Sequence, residues 1–124
     1  MTLIDTSVII DFIAGDKKLV SLIQELSDTV EIKTTSITEY ELLKHKTKLK
    51  CQLAEEFLSE ITVYPFDRDA AKEAALLFKE LQDAGRMINE NDLLIAGISL
   101  AHNEVLLTRD KKLANIGKDN IKIV

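Results

Sequence analysis

Short apolar runs alternate with stretches of three-and-four spacing from one end of the chain to the other. Thr2 to Asp5 predicts a first strand. Val8, Ile9, Ile10, Phe12 and Ile13 predict a short helix from Ser7 that ends near Gly15. Asp16 caps the next helix, whose apolar face is Leu19, Val20, Leu22, Ile23 and Leu26. Val30 to Thr35 alternates as a second strand, and Ser36 to about Lys48 is helical. Lys50 to Ser59 either continues that helix or forms a separate one. Ile61 to Tyr64 is a third strand stopped by Pro65. Asp67 caps a long helix ending at Gly85, and Asn89 caps another to about Asn103. Val105 to Thr108, a helical turn at Lys111 to Asn115, and a last strand at Ile121 to Val124 complete the pattern.

Strands alternating with helices throughout predict an α/β fold, a three-layer α/β/α sandwich around a mainly parallel sheet. No Pro- or Ser-rich linker or repeat divides the sequence, so residues 1–124 are expected to form a single domain. The 46% hydrophobic and 30% charged content is that of a folded globule, which excludes a disordered segment. No apolar run approaches the roughly 18 residues of a membrane span, and the start lacks the basic region of a secretory leader. The lone Cys51 excludes an internal disulfide and a cysteine-rich zinc cage. These features point to the cytoplasm and away from a membrane. The net charge of −5 argues against a positive coat for sequence-blind nucleic-acid binding and suits a basic protein partner.

Candidate chemistry lies in four acids. Asp5 follows the first strand, Glu41 and Asp92 lie near helix starts, and Asp110 follows the fourth strand. Open parallel sheets bind ligands beyond the carboxyl ends of their strands, where such acids meet and suit hard divalent cations. Each has a plainer reading. Asp5 and Asp110 stand where helix caps stand, and Asp92 faces a helix dipole. Glu39 is set aside, because Ser36-Ile37-Thr38-Glu39 matches a capping box. Glu41 lies roughly 200° around the helix from Glu39, next to the apolar Leu42 and Leu43. The joint placement of the four carries the argument.

The blocks Leu3-Ile4-Asp5-Thr6-Ser7-Val8-Ile9-Ile10, Ile37-Thr38-Glu39-Tyr40-Glu41-Leu42-Leu43, Asn91-Asp92-Leu93-Leu94-Ile95-Ala96 and Leu107-Thr108-Arg109-Asp110 resemble the four signature blocks of PIN-domain ribonucleases. Within that superfamily the chain is most similar to VapC-type toxins of prokaryotic toxin–antitoxin pairs, over essentially its whole length. The resemblance implies a sheet of about five strands and a metal-dependent endoribonuclease. It implies that Asp5, Glu41 and Asp92 are the three principal metal-coordinating acids and Asp110 a more variable fourth. Thr6 and Thr108 match hydroxyl positions that orient waters or carboxylates. It also implies a homodimer, an RNA substrate and a small basic antitoxin laid across the cleft. One departure is Leu42-Leu43-Lys44-His45 after Glu41, where a glycine or small residue is common.

Hydrolysing a phosphodiester needs an activated water and relief of developing negative charge. One or two Mg²⁺ or Mn²⁺ ions supply both, a pair standing about 3.5–4 Å apart. Neither His45 nor His102 has a partner motif for histidine catalysis. Lys44, His45, Lys46, Lys48 and Lys50 form a basic run, and Arg86, Arg109 and Lys111 flank the later acids. Among them Lys44, Lys46, Arg86 and Arg109 are the candidate phosphate contacts, with a solvated helix face as the alternative for the lysine run. Two other functions stay open: a catalytically silent PIN-like binding module, and an unrelated α/β phosphoryl-transfer domain.

Overall fold

A computed structural model describes residues 2–44 and 47–124. Its elements are β1 (Thr2–Ile4), α1 (Thr6–Ile13), α2 (Lys17–Ser27), β2 (Ile32–Thr35), α3 (Ser36–Leu43), α4 (Lys48–Ser59), β3 (Thr62–Tyr64), α5 (Arg68–Ala84), α6 (Glu90–His102), β4 (Val105–Thr108), a 3₁₀ turn (Lys111–Ile116) and β5 (Ile121–Ile123). The strands form one sheet in the order β3-β2-β1-β4-β5, with every pairing parallel.

Alternation within β1 and β4 sets the layers. Ile4 and Leu107 join Val8, Ile9, Leu19, Ile23, Leu42, Ala54 and Leu58 from α1 to α4 in one core. Leu3 and Leu106 point the other way, to Ala70 of α5 and Ile95 and Ile98 of α6. A third cluster joins α5 and α6 to the 3₁₀ turn through Leu77, Leu81, Leu93, Ala96, Leu113 and Ile116. The sheet is thus covered on both faces, as all-parallel sheets require. The chain builds β2 and β3 to one side of β1, then β4 and β5 to the other. This order places a topological switch point between β1 and β4, where a crevice opens beyond the strand ends.

Several boundaries differ from the sequence expectation. Val30 belongs to the turn after α2, its N–H donating to the Leu26 carbonyl, so β2 starts at Ile32. The helix from Ser36 stops at Leu43, and α4 is separate. Helix α5 ends on Gly85 in the left-handed region, as expected; α6 ends on a left-handed Asn103.

Beneath α6 a buried polar network joins non-adjacent strands. Lys33 of β2 reaches past β1 to Glu104, just before β4, at 3.2 Å, and also bonds the Tyr64 hydroxyl. The His102 ring stacks on Tyr64 with centroids 3.7 Å apart. Glu104 Oε2 is buried without a hydrogen-bond partner among the described residues.

Candidate functional site

Asp5 is the N-cap of α1, accepting from the Val8 N–H through Oδ1 (3.1 Å) and from the Ser7 hydroxyl at 2.6 Å. The capping reading and the site reading therefore coexist, because one carboxylate oxygen suffices for the cap. Glu41 is half-buried on α3. Its Oε1 accepts from the Thr6 hydroxyl (2.6 Å) and its Oε2 from Asn91 Nδ2 (3.3 Å), so α1 and α6 both hold it. Asp92 lies in the first turn of α6, behind the Asn89 cap. Asp110 caps the 3₁₀ turn through the Lys112 N–H (2.9 Å). Four elements thus deliver one acid each to the end of the sheet where β1, β2 and β4 finish.

Electrostatics show the convergence. Burial pushes the Asp92 carboxyl up to about 6, and the charges of Asp110, Asp5 and Glu41 add to the rise, with Lys112 opposing them. Burial also raises Asp5, against the hydroxyls of Ser7 and Thr108 and the Val8 N–H, which favour its anion. The site holds more negative charge than its own surroundings neutralise.

The two expected hydroxyls are present. Thr6 binds Glu41 and approaches Thr38 (3.3 Å). Thr108 is buried, supports Asp5, and accepts from the Asp110 N–H at 3.0 Å. Residues the sequence reading missed include Ser7, which donates to Asp5 while accepting from the Arg109 N–H (3.0 Å), and Asn91 and Lys112. Ser7 carries no signal beyond its place in the first turn; Asn91, next to Asp92, was within reach of the block that marked its neighbour.

Arg109 does not stand free for phosphate: its Nη1 bonds Asp16 (2.9 Å) and Asp11 (3.2 Å). Arg86 is exposed, directly after the Gly85 that ends α5. Lys44 is exposed after α3, its ammonium 5.3 Å from the Tyr40 ring centre. Lys46, with His45, lies outside the described residues. The expected capping box does not form, and the cap moves back by one residue. Thr35, not Ser36, caps α3 by accepting from the Thr38 N–H, while the Ser36 hydroxyl accepts from the Phe66 N–H. Glu39 is therefore not a capping-box acid.

An all-parallel sheet with four acids gathered at its switch point defines a class, and the PIN domain profile matches residues 2–119. The chain belongs to the PIN-domain family. Ribonuclease VapC3 of Methanocaldococcus jannaschii is 35% identical over 95 residues, 77% of this chain and 94% of that protein. VapBC2 from Rickettsia felis, solved bound to a DNA fragment from its promoter, superposes with a TM-score of 0.83 at 25% identity, covering 99% of this chain and 96% of that one. VapBC-5 from Mycobacterium tuberculosis, a member of the VapBC family of toxin-antitoxin systems, gives 0.70 at 26%, over 99% and 96%.

Proposed function

We propose that this chain is a divalent-metal-dependent endoribonuclease and the toxin half of a toxin–antitoxin pair. The observation that carries this reading is the delivery of Asp5, Glu41, Asp92 and Asp110 from separate elements to one end of the sheet, where the other three add to burial in raising Asp92 to about 6. A purely structural set of caps has no reason to be concentrated in this way. The relatives named above support RNA as the substrate.

The donors suit Mg²⁺ or Mn²⁺: they are carboxylates and hydroxyls, with no thiolate or imidazole among them. Among the described residues no three acidic, histidine or cysteine side chains stand close enough together to hold a metal ion. Mg²⁺ keeps several waters and needs only one or two direct carboxylates. Asp5, Glu41 and Asp92 are the residues that would hold it, with Asp110 as a peripheral fourth. When bound, the ion supplies a nucleophilic water and offsets charge on the phosphoryl oxygens. The chain's own part is orientation. Thr6 and Asn91 hold the two oxygens of Glu41, Ser7 and Thr108 hold Asp5, and Asp92 keeps a proton below about pH 6 until a cation replaces it.

Cleavage of mixed RNAs with Mg²⁺ or Mn²⁺, beside excess chelator, tests the reading. Asp5→Asn, Glu41→Gln and Asp92→Asn should each lower the rate by more than about 100-fold, since losing groups that only support ligands reaches 10–100-fold. Asp110→Asn should be milder. Full activity in chelator, or in any of the first three variants, would end the assignment. We infer further that the chain self-associates and that its partner is a small basic antitoxin. The net charge of −5 supports this, as do the exposed Ile10, Leu49 and Leu53 on one apolar groove and Leu76 and Phe78 on α5. Sedimentation showing only monomer at tens of micromolar would remove the dimer.

A further inference from the structure

We propose that Arg109 is a positioning residue, clamping the end of β4 onto the α1–α2 turn and so setting where Thr108 and Asp110 stand relative to Asp5. The proposal rests on the metal-site reading above. Arg109 lies between two site residues, Thr108 and Asp110, and connects in two directions. Its backbone N–H donates to the Ser7 hydroxyl (3.0 Å), which itself donates to Asp5 Oδ1 (2.6 Å). Its guanidinium instead reaches away to Asp16 Oδ2 (2.9 Å) and Asp11 Oδ2 (3.2 Å).

The acceptors are themselves fixed. Asp16 caps α2 with its other oxygen, accepting from the Leu19 N–H at 3.1 Å, and its N–H donates to the Asp11 carbonyl at 3.0 Å. Gly15 makes that turn possible with a φ of +85°, which side-chain-bearing residues rarely adopt. The cap and Arg109 together hold the Asp16 carboxyl below its ordinary value, so both oxygens are charged acceptors near neutrality. Strand β4 therefore ends in a loop tied at both faces of residue 109, through its backbone to the site and through its side chain to a braced turn.

Charge disfavours the simpler alternative that Arg109 grips phosphate. Two carboxylates already hold Nη1 of one guanidinium and leave a net negative group, which weakens any phosphate contact through its other N–H donors. Positioning and gripping predict opposite responses to removing Asp11 and Asp16. Asn at position 16 still caps a helix, so Asp11→Asn with Asp16→Asn removes both charges that hold Arg109 while keeping α2 intact. If Arg109 positions, this double variant should bind Mn²⁺ about tenfold more weakly without RNA present, the scale for groups that hold a ligand in place. It should also lose kcat with little change in KM. Arg109→Gln should match it, and the effects should not add when combined; Arg109→Lys should recover part of the loss. Arg109→Gln with unchanged Mn²⁺ affinity would overturn the clamp. So would a double variant that binds RNA more tightly at unchanged kcat. The Mn²⁺ titration needs no turnover, so it judges the clamp even if wild type fails to cut RNA, an outcome that would count against the nuclease reading alone.

Discussion

At the scale of single residues, Asp92 shows how a first-turn helix position becomes a titrating site. A carboxylate in the first turn of α6 ordinarily profits from the helix dipole. Here burial and three neighbouring acids outweigh that gain, and its carboxyl is pushed up to about 6. The unfolded chain has no such penalty, so Asp92 ionises there near 3.9. Between those values the native state binds more protons than the unfolded state. The metal-free protein should therefore gain stability as pH falls from 7 through 6 toward 4, and Asp92→Asn should lose that gain. At pH 7 the variant should be more stable by about 1 kcal/mol, once screening of a half-exposed group is allowed for. Chemical denaturation at pH 4.5 and 7 in chelator checks this; an apo variant that melts lower at both pH values would make Asp92 a simple cap. In the same pH range protons compete with the cation, so Mn²⁺ affinity should fall below about pH 6. Residue roles were the least legible level of the sequence. The four acids stood out by joint placement, but the partners of Arg109 and Ser7 lie about a hundred residues away. No local pattern encodes such pairings.

At the scale of elements, periodicity marked nearly every helix and strand because the core imposes it directly. It failed where tertiary partners decide. Thr35 takes the α3 cap that Ser36 was expected to hold, because the Ser36 hydroxyl is engaged by the Phe66 N–H arriving from β3. The packing of α5 on α6 was equally silent in the sequence. Gly97 sits in mid-helix, where glycine is disfavoured by about 1 kcal/mol relative to alanine. A Cβ there would lie 2.8 Å from Ala74 Cβ and 2.9 Å from the Ala70 carbonyl oxygen. One of those atoms is backbone and the other a short, rigid side chain, so relief requires moving one helix off the other. Overpacking of this kind costs about 1–3 kcal/mol, which exceeds the helix-propensity gain. Gly97→Ala should therefore lower the thermal midpoint, and Gly97→Val more so. A Gly97→Ala protein as stable as wild type would show that the crossing is looser than these distances imply.

At the scale of the whole molecule, the fold and the acid cluster are one thermodynamic system. Mg²⁺ or Mn²⁺ binding only the native form should stabilise it by about 1.4–2.7 kcal/mol at ten to a hundred times its dissociation constant. Thermal melts with and without Mn²⁺ read this directly, and a wild type indifferent to the ion would remove the metal centre. The α/β architecture was legible from the alternation of elements, but strand order was not, since periodicity says nothing about which strands become neighbours. That order has a temporal consequence. The central strand β1 pairs on one side with β4, and Ser7 meets Thr108 across 101 positions of sequence. During synthesis from the amino end, β2 and β3 can join β1 early, yet β1 keeps an open edge until residues 105–108 leave the ribosome. Asp110 arrives later still. The four carboxylates can therefore meet only after β4 has closed that edge, however early Asp5 is made.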